Sequence, residues 1–103
     1  MLIDLNLEQF ETLVLKKSGY VLVDFWAPWC QACKQLETML ETLEEDYIDT
    51  VSVYKINVES YMNVAETYDI MNLPSLLLFK DGVVIRSIFG LHPYPKLKEW
   101  LAL

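Results

Sequence analysis

The chain has 103 residues, 53% of them hydrophobic and 22% charged, which is enough to bury the core of one domain over residues 1–103 and too little for two. Eight Lys and Arg against 15 Asp and Glu give a net charge of −7, so nucleic acid and anionic membrane surfaces are not expected partners. No apolar run approaches the roughly 20 residues that span a bilayer, and Met1–Asp4 lacks the basic start of an export signal, so we expect a cytoplasmic protein.

Hydrophobic periodicity predicts alternating strands and helices from the N-terminus onward. A short strand over residues 2–5 precedes a helix that is capped by Asn6 and ends near Ser18-Gly19. The run Tyr20–Trp26 is apolar except for Asp24, which is typical of a central strand covered on both faces. A long helix then begins at the two cysteines, with one apolar stripe and with its glutamates on the solvated side.

The second half of the chain continues the alternation and ends in a hairpin and a helix. It contains a strand at Val51–Val58, a short helix capped by Ser60, strands Ser75–Lys80 and Val83–Phe89 around the turn Asp81-Gly82, and a last helix at Pro95–Ala102. The order β-α-β-α-β-α-β-β-α predicts an α/β fold, a mixed central sheet with helices on both faces.

The chain's two cysteines, Cys30 and Cys33, stand where the predicted central strand passes into the long helix. Unpaired N–H groups and the positive end of the helix dipole favour a thiolate at Cys30. Two intervening residues let the second sulfur reach the first within one helical turn, so a disulfide made by attack on a substrate can be closed internally. The placement favours a redox pair over a passive thiol pair or half of a metal site, for which only His92 remains.

Asp24 is the one acidic residue inside the apolar strand. Burial of a carboxylate without partners is costly, so we expect a raised pKa and a group able to accept the proton of Cys33. The alternative is a strand-end Asp that faces water. Lys55 stands in the neighbouring strand, where it could counter the charge of Asp24 or be an ordinary surface lysine.

The stretch Asp24–Cys30, followed by Cys33-Lys34, resembles the active site of thioredoxins. The segments Lys55–Val58, Leu73–Ser75 and Phe79–Gly82, and then Gly90, also occur in the family's order and spacing. The resemblance implies a thioredoxin fold, with a mixed five-stranded sheet flanked by four helices, and a thiol-disulfide oxidoreductase that reduces protein disulfides. It further implies a monomer without bound cofactor or metal, recycled by a flavin-containing thioredoxin reductase that uses NADPH.

The resemblance also assigns roles to residues. Cys30 is expected to attack the substrate disulfide, after which Asp24 helps to deprotonate Cys33 for the resolving attack. The bond before Pro74 is expected to be cis, although the sequence alone predicts a trans turn proline. The residues expected to rim an apolar substrate patch around Cys30, with Trp26 packed beneath, are Trp29, Leu73, Pro74, Gly90 and Leu91.

The sequence departs from the family beside the cysteines. Gln31-Ala32 replaces the usual Gly-Pro, and Thr38 stands where many members have a helix-kinking proline. Because Ala32 has an N–H that proline lacks, we expect an extra donor for the Cys30 thiolate and a more oxidising couple. Two other functions stay open, a thiol oxidase or isomerase and a binding module whose cysteines are incidental.

Overall fold

The computed structural model describes all residues from Met1 to Leu103. The strands are β1 (Ile3–Asp4), β2 (Tyr20–Trp26), β3 (Val51–Asn57), β4 (Ser75–Lys80) and β5 (Val83–Phe89). The helices are α1 (Leu7–Phe10), which continues as a π-helix over Glu11–Leu15, α2 (Gln31–Asp46), α3 (Met62–Thr67) and α4 (Tyr94–Leu101).

The five strands form one mixed sheet in the order β1-β3-β2-β4-β5. Strand β2 is central, parallel to β3 on one side and antiparallel to β4 on the other. The predicted α/β thioredoxin fold, a mixed five-stranded sheet with four helices, is therefore confirmed.

Both faces of β2 are buried, because its alternating side chains point to two separate apolar clusters. Val21, Val23 and Phe25 pack on the face covered by α1 and α3. Leu22 points to the opposite face, where it packs with leucines of α2 and α4. Asp24 follows Leu22 by two residues, so the same alternation places its carboxyl group on the α2 side of the sheet.

Two predicted helix ends are wrong. The first helical segment ends at Leu15, short of Ser18-Gly19, because Gly19 pairs with Asp81 through two hydrogen bonds, from its own N–H to Oδ1 (2.7 Å) and from the Asp81 N–H to its carbonyl (3.0 Å). Helix α3 follows Tyr61 and has no side-chain cap, so Ser60 does not act as one. The carboxamide of Asn57 accepts the Glu59 N–H (2.9 Å) and organises this turn instead.

The predicted two-residue hairpin at Asp81-Gly82 is confirmed. Both residues have positive φ, 50° and 82°, which is the requirement of a type I′ turn. The turn lies against the end of the first helical segment, where a Cβ added to Gly82 would overlap the carbonyl oxygen of Leu15 and lie 3.1 Å from its carbonyl carbon. Position 82 therefore requires glycine for two reasons, its backbone conformation and its close approach to Leu15.

Alanine substitutions at Gly82 and Gly19 separate these two reasons. Gly19 has a similar φ, 87°, but nothing lies within 4 Å of an added Cβ. We expect Gly19→Ala to lower the free energy of unfolding by about 1 kcal/mol, the cost of the left-handed backbone. Gly82→Ala should cost about 1–3 kcal/mol more, because Leu15 must move. Urea unfolding measures both, and equal losses would contradict the steric argument.

Candidate active site

The two cysteines form a disulfide at the start of α2, with their Cα atoms 5.3 Å apart. Cys30 is the N-cap residue, with extended backbone angles, and Cys33 lies in the first helical turn. Cys30 is 7% exposed and Cys33 is 2% exposed, so the first cysteine is the more accessible of the two.

The Cys30 sulfur occupies the place of an N-cap side-chain acceptor. Its Sγ accepts a hydrogen bond from the Cys33 N–H at 3.2 Å, and so satisfies one of the donors that a helix N-terminus leaves unpaired. In this disulfide form the donor is Cys33, whereas the donor expected from Ala32 concerns the thiolate of the reduced form. The expected effect of Ala32 on the reduced couple stays a prediction.

Asp24 lies in the centre of the sheet and is 1% exposed, so the alternative of a strand-end residue facing water is wrong. Neither carboxylate oxygen has a hydrogen-bond partner within the protein. The pKa of Asp24 is raised to about 8, chiefly by burial and also by the nearby charges of Glu37 and Asp4, while Lys55 lowers it. The carboxyl group is therefore mostly protonated at neutral pH, as its position in the apolar strand predicts.

Lys55 is not an ordinary surface lysine, since its side chain is only 14% exposed. It is the register partner of Asp24 in the neighbouring strand. Its ammonium group forms an ion pair with Glu37 Oε1 at 2.8 Å and lies 4.7 Å from the centre of the Trp26 ring, a cation–π contact. The Trp26 indole N–H donates in turn to Asp4 Oδ1 at 3.0 Å.

The expectation that the glutamates of α2 lie on the solvated side is wrong for Glu37. Its side chain is 34% exposed and reaches back over the sheet to Lys55. Glu37 follows Leu36 of the apolar stripe directly, so it flanks that stripe. The signal in the sequence was Lys55 itself, because a lysine in a covered strand needs an anionic partner.

The Leu73-Pro74 peptide bond is cis, as the resemblance implies, and Pro74 is buried. Leu73 and Trp26 both pack against the cluster formed by Ala27 and the two cysteines, which places Trp26 where it was expected. The Pro74 carbonyl accepts the Gly90 N–H at 2.8 Å, so Gly90 lies beside the cis proline.

The other two residues expected at the rim are exposed. Trp29 is 70% exposed, and its indole N–H donates to Glu59 Oε2 at 2.7 Å. Leu91 is 39% exposed and directly follows Gly90. Sequence analysis missed Glu59, for which no local signal exists, because it stands 30 positions from its partner.

Away from the disulfide, the molecule has a large groove but no candidate metal site or membrane-spanning helix. The largest groove, about 590 Å³, runs between the segment Thr67–Asn72 and strands β4 and β5, and neither cysteine lines it. No group of three or more His, Cys, Asp or Glu side chains is arranged to hold a metal ion. None of the helices has the length and apolarity required to cross a membrane.

Comparison with known proteins matches the whole chain to one family. The thioredoxin family model matches residues 1–103. Thioredoxin of Buchnera aphidicola subsp. Acyrthosiphon pisum is 40% identical over 100 residues, 97% of this chain and 93% of the relative. Thioredoxin C-2 of Corynebacterium nephridii is 42% identical over 94 residues, 91% and 87% of the two chains. Thioredoxin of Bacillus subtilis is 41% identical over 81 residues, 79% and 78% of the two chains.

These similarities span the sheet, both helical layers and the segment that carries the disulfide. A redox-type cysteine pair at the N-terminus of a helix is the chemical feature of a thiol-disulfide oxidoreductase. The chain therefore belongs to the thioredoxin family.

Proposed function

We propose that this thiol-disulfide oxidoreductase reduces protein disulfides with Cys30 as the attacking sulfur and Cys33 as the resolving sulfur. The observation that carries the proposal is the Cys30–Cys33 disulfide at the N-terminus of α2. Cys30 is the more exposed cysteine, and its sulfur accepts the Cys33 N–H, a contact that also favours a thiolate once the disulfide is reduced.

The reaction proceeds through two thiol-disulfide exchanges. The Cys30 thiolate attacks one sulfur of the client disulfide, which breaks that bond, forms a Cys30–client disulfide and releases the first client thiolate. Cys33 loses its proton and attacks Cys30 Sγ, which releases the second client thiolate and forms the Cys30–Cys33 disulfide. Both client thiolates take up protons, one balancing the proton lost by Cys33 and the other coming from solvent, so two electrons pass from the two cysteines to the client.

Asp24 is the proposed acceptor of the Cys33 proton. Its carboxyl group lies on the α2 face of the sheet, and its raised pKa, about 8, is close to the usual value of a cysteine thiol. Closely matched pKa values allow a proton to pass in either direction, so the same group can return the proton when the disulfide is reduced again. Lys55 is the nearby cation that limits the rise in the pKa of Asp24.

The client polypeptide is proposed to lie across the exposed surface beside Cys30. Exposed Trp29 and Leu91 offer apolar contact area, and Pro74 and Gly90 are joined by a backbone hydrogen bond. Next to them, partly buried Leu73 packs on the disulfide cluster, where its backbone can pair with an extended client strand.

The proposed cellular setting follows the family. The protein acts as a single domain over residues 1–103 and as a monomer in the cytoplasm. A flavin-containing thioredoxin reductase, using NADPH, returns the disulfide to the dithiol. The net charge of −7 supports protein partners over nucleic acid.

The roles of the cysteines are tested by single serine variants in an insulin-reduction assay. We expect both variants to lose turnover, because each removes one of the two exchanges. Cys33→Ser should form a long-lived mixed disulfide with its client, whereas Cys30→Ser should form none. Release of the client from Cys33→Ser at the parent's rate, or faster alkylation of Cys33 than of Cys30 in the reduced parent, would reverse the assignment. No turnover by the parent would favour a binding module.

The proton-transfer role of Asp24 is tested by Asp24→Asn, which keeps the shape of the side chain but cannot take a proton. We expect resolution of the mixed disulfide to slow by at least about tenfold at pH 7, less than the roughly 10²–10⁴-fold usual for general-base catalysis, because water also accepts protons. Stopped-flow tryptophan fluorescence measures this step. Equal rates in parent and variant from pH 6 to 9 would remove Asp24 from the mechanism.

The same variant has a separate effect on stability. The folded-state pKa of Asp24 lies above the ordinary value of 3.8, so between pH 3.8 and about 8 the folded state binds a proton that the unfolded state has lost. The contribution of the group is fully present below pH 3.8 and is lost as the pH rises to about 8. We therefore expect Asp24→Asn to gain about 1.4 kcal/mol of unfolding free energy relative to the parent per pH unit in this window. A difference that does not vary with pH in urea unfolding would contradict the burial argument.

A further inference from the structure

The ammonium group nearest to Asp24 is held by another residue. Lys55 and Asp24 are register partners on adjacent parallel strands, an arrangement in which a lysine and a carboxylate can pair directly. The Lys55 Nζ instead lies 2.8 Å from Glu37 Oε1, and both oxygens of Asp24 have no hydrogen-bond partner within the protein. The choice of partner by Lys55 thus modifies the electrostatics of the buried carboxyl group, to which burial makes the largest contribution.

Two side chains contact the Lys55 ammonium group, and a third holds one of them. Glu37 supplies the ion pair, and the Trp26 ring supplies the cation–π contact at 4.7 Å. The Trp26 ring is itself fixed by its hydrogen bond to Asp4 Oδ1. Because the Lys55 side chain is mostly buried, this ion pair is less screened by solvent than one at the surface, and loss of Glu37 would leave an uncompensated charge.

The charged groups that face Asp24 come from three elements. They are Glu37 from α2, Lys55 from β3 and Asp4 from β1. The β4 neighbour in register is the apolar Leu76, and the α2 cysteines do not titrate in the disulfide form. Lys55 is the one cation in this set, so no other positive charge can replace its effect on Asp24.

We propose that Glu37 is a positioning residue that holds the Lys55 ammonium away from Asp24 and thereby adds to the effect of burial in keeping the carboxyl group protonated at neutral pH. The consequence for catalysis rests on the proposed function. While Glu37 holds Lys55, Asp24 can give its proton to the Cys33 sulfur when the disulfide opens and take it back when the disulfide closes. Without Glu37, Lys55 is free to pair with Asp24, and the carboxylate becomes a weaker base.

The proposal predicts the direction of change in Glu37→Gln. The variant removes a negative charge that raises the pKa of Asp24 and releases a cation that lowers it, so both effects act in the same direction. We expect the pKa of Asp24 to fall by about one unit. The measurement is a carboxyl-carbon NMR titration of the disulfide form without client, in which no thiol titrates.

Two further variants distinguish the effect of Glu37 on the position of Lys55 from the direct effect of its negative charge on Asp24. Glu45→Gln makes the same charge change on an exposed residue of α2. It should leave the pKa of Asp24 unchanged. Lys55→Met removes the cation. If Glu37 acts by holding Lys55, then Glu37→Gln should shift the Asp24 titration much less in the Lys55→Met background than in the parent. An equal shift in both backgrounds, or no shift in the parent background, would overturn the proposal.

The role of Asp24 in catalysis is tested by a second measurement, the pH dependence of insulin reduction. The pH profile of insulin reduction by Glu37→Gln should move to lower pH by the same amount as the Asp24 titration, and Glu37→Asp should restore part of the parent profile. A moved titration with an unmoved pH profile would support the positioning of Lys55 and would contradict the role of Asp24 in catalysis. The two proposals can thus fail independently.

Discussion

The burial of β2 on both faces is the constraint on which the rest of the site depends. A strand covered by α1 and α3 on one side and by α2 and α4 on the other is shielded at its centre from the bulk solvent that would stabilise an ion. Asp24 lies in that strand without a hydrogen-bond partner in the protein, so its uncharged form is favoured up to about pH 8. The packing that stabilises the sheet is thus also what makes this carboxyl group able to exchange a proton with a thiol.

The charges around Asp24 modify the pKa that burial has raised. Desolvation is the largest cause of the raised pKa, and the charges of Glu37, Lys55 and Asp4 add smaller effects of both signs. A partly buried ion pair such as Lys55–Glu37 contributes little net stability, because the Coulomb attraction is offset by the desolvation of Lys55 and by the partial desolvation of Glu37. Its value to the protein is therefore better sought in where it holds the Lys55 ammonium than in the free energy of folding.

The surface beside the disulfide is built by the hairpin of β4 and β5. Pro74 immediately precedes β4 and Gly90 immediately follows β5, and the antiparallel register that pairs Ser75 with Phe89 brings them together. Their backbone hydrogen bond joins two loops that are 16 positions apart in the chain. Backbone hydrogen bonding thus fixes the position of Pro74 relative to Gly90 beside the disulfide.

The sequence by itself determined those features that depend on neighbouring residues. Periodicity predicted the alternation of helices and strands, an Asp in an apolar run predicted a buried carboxyl group, and Asp81-Gly82 predicted the hairpin turn. The spacing of Cys30 and Cys33 at a helix start predicted the redox pair. Each of these signals lies within one element or its turn, so it can be read without knowing how the elements pack.

The tertiary structure alone decided which distant side chains meet. Glu37 turned from the expected solvated side toward Lys55, 18 positions away, and Glu59 paired with Trp29 across 30 positions. The first helix stopped before Gly19 because the hairpin turn at Asp81 uses the hydrogen-bonding groups of that residue. Strand register and helix docking set these contacts, and periodicity does not encode either, because it records which face of an element is apolar but not which partner that face will meet.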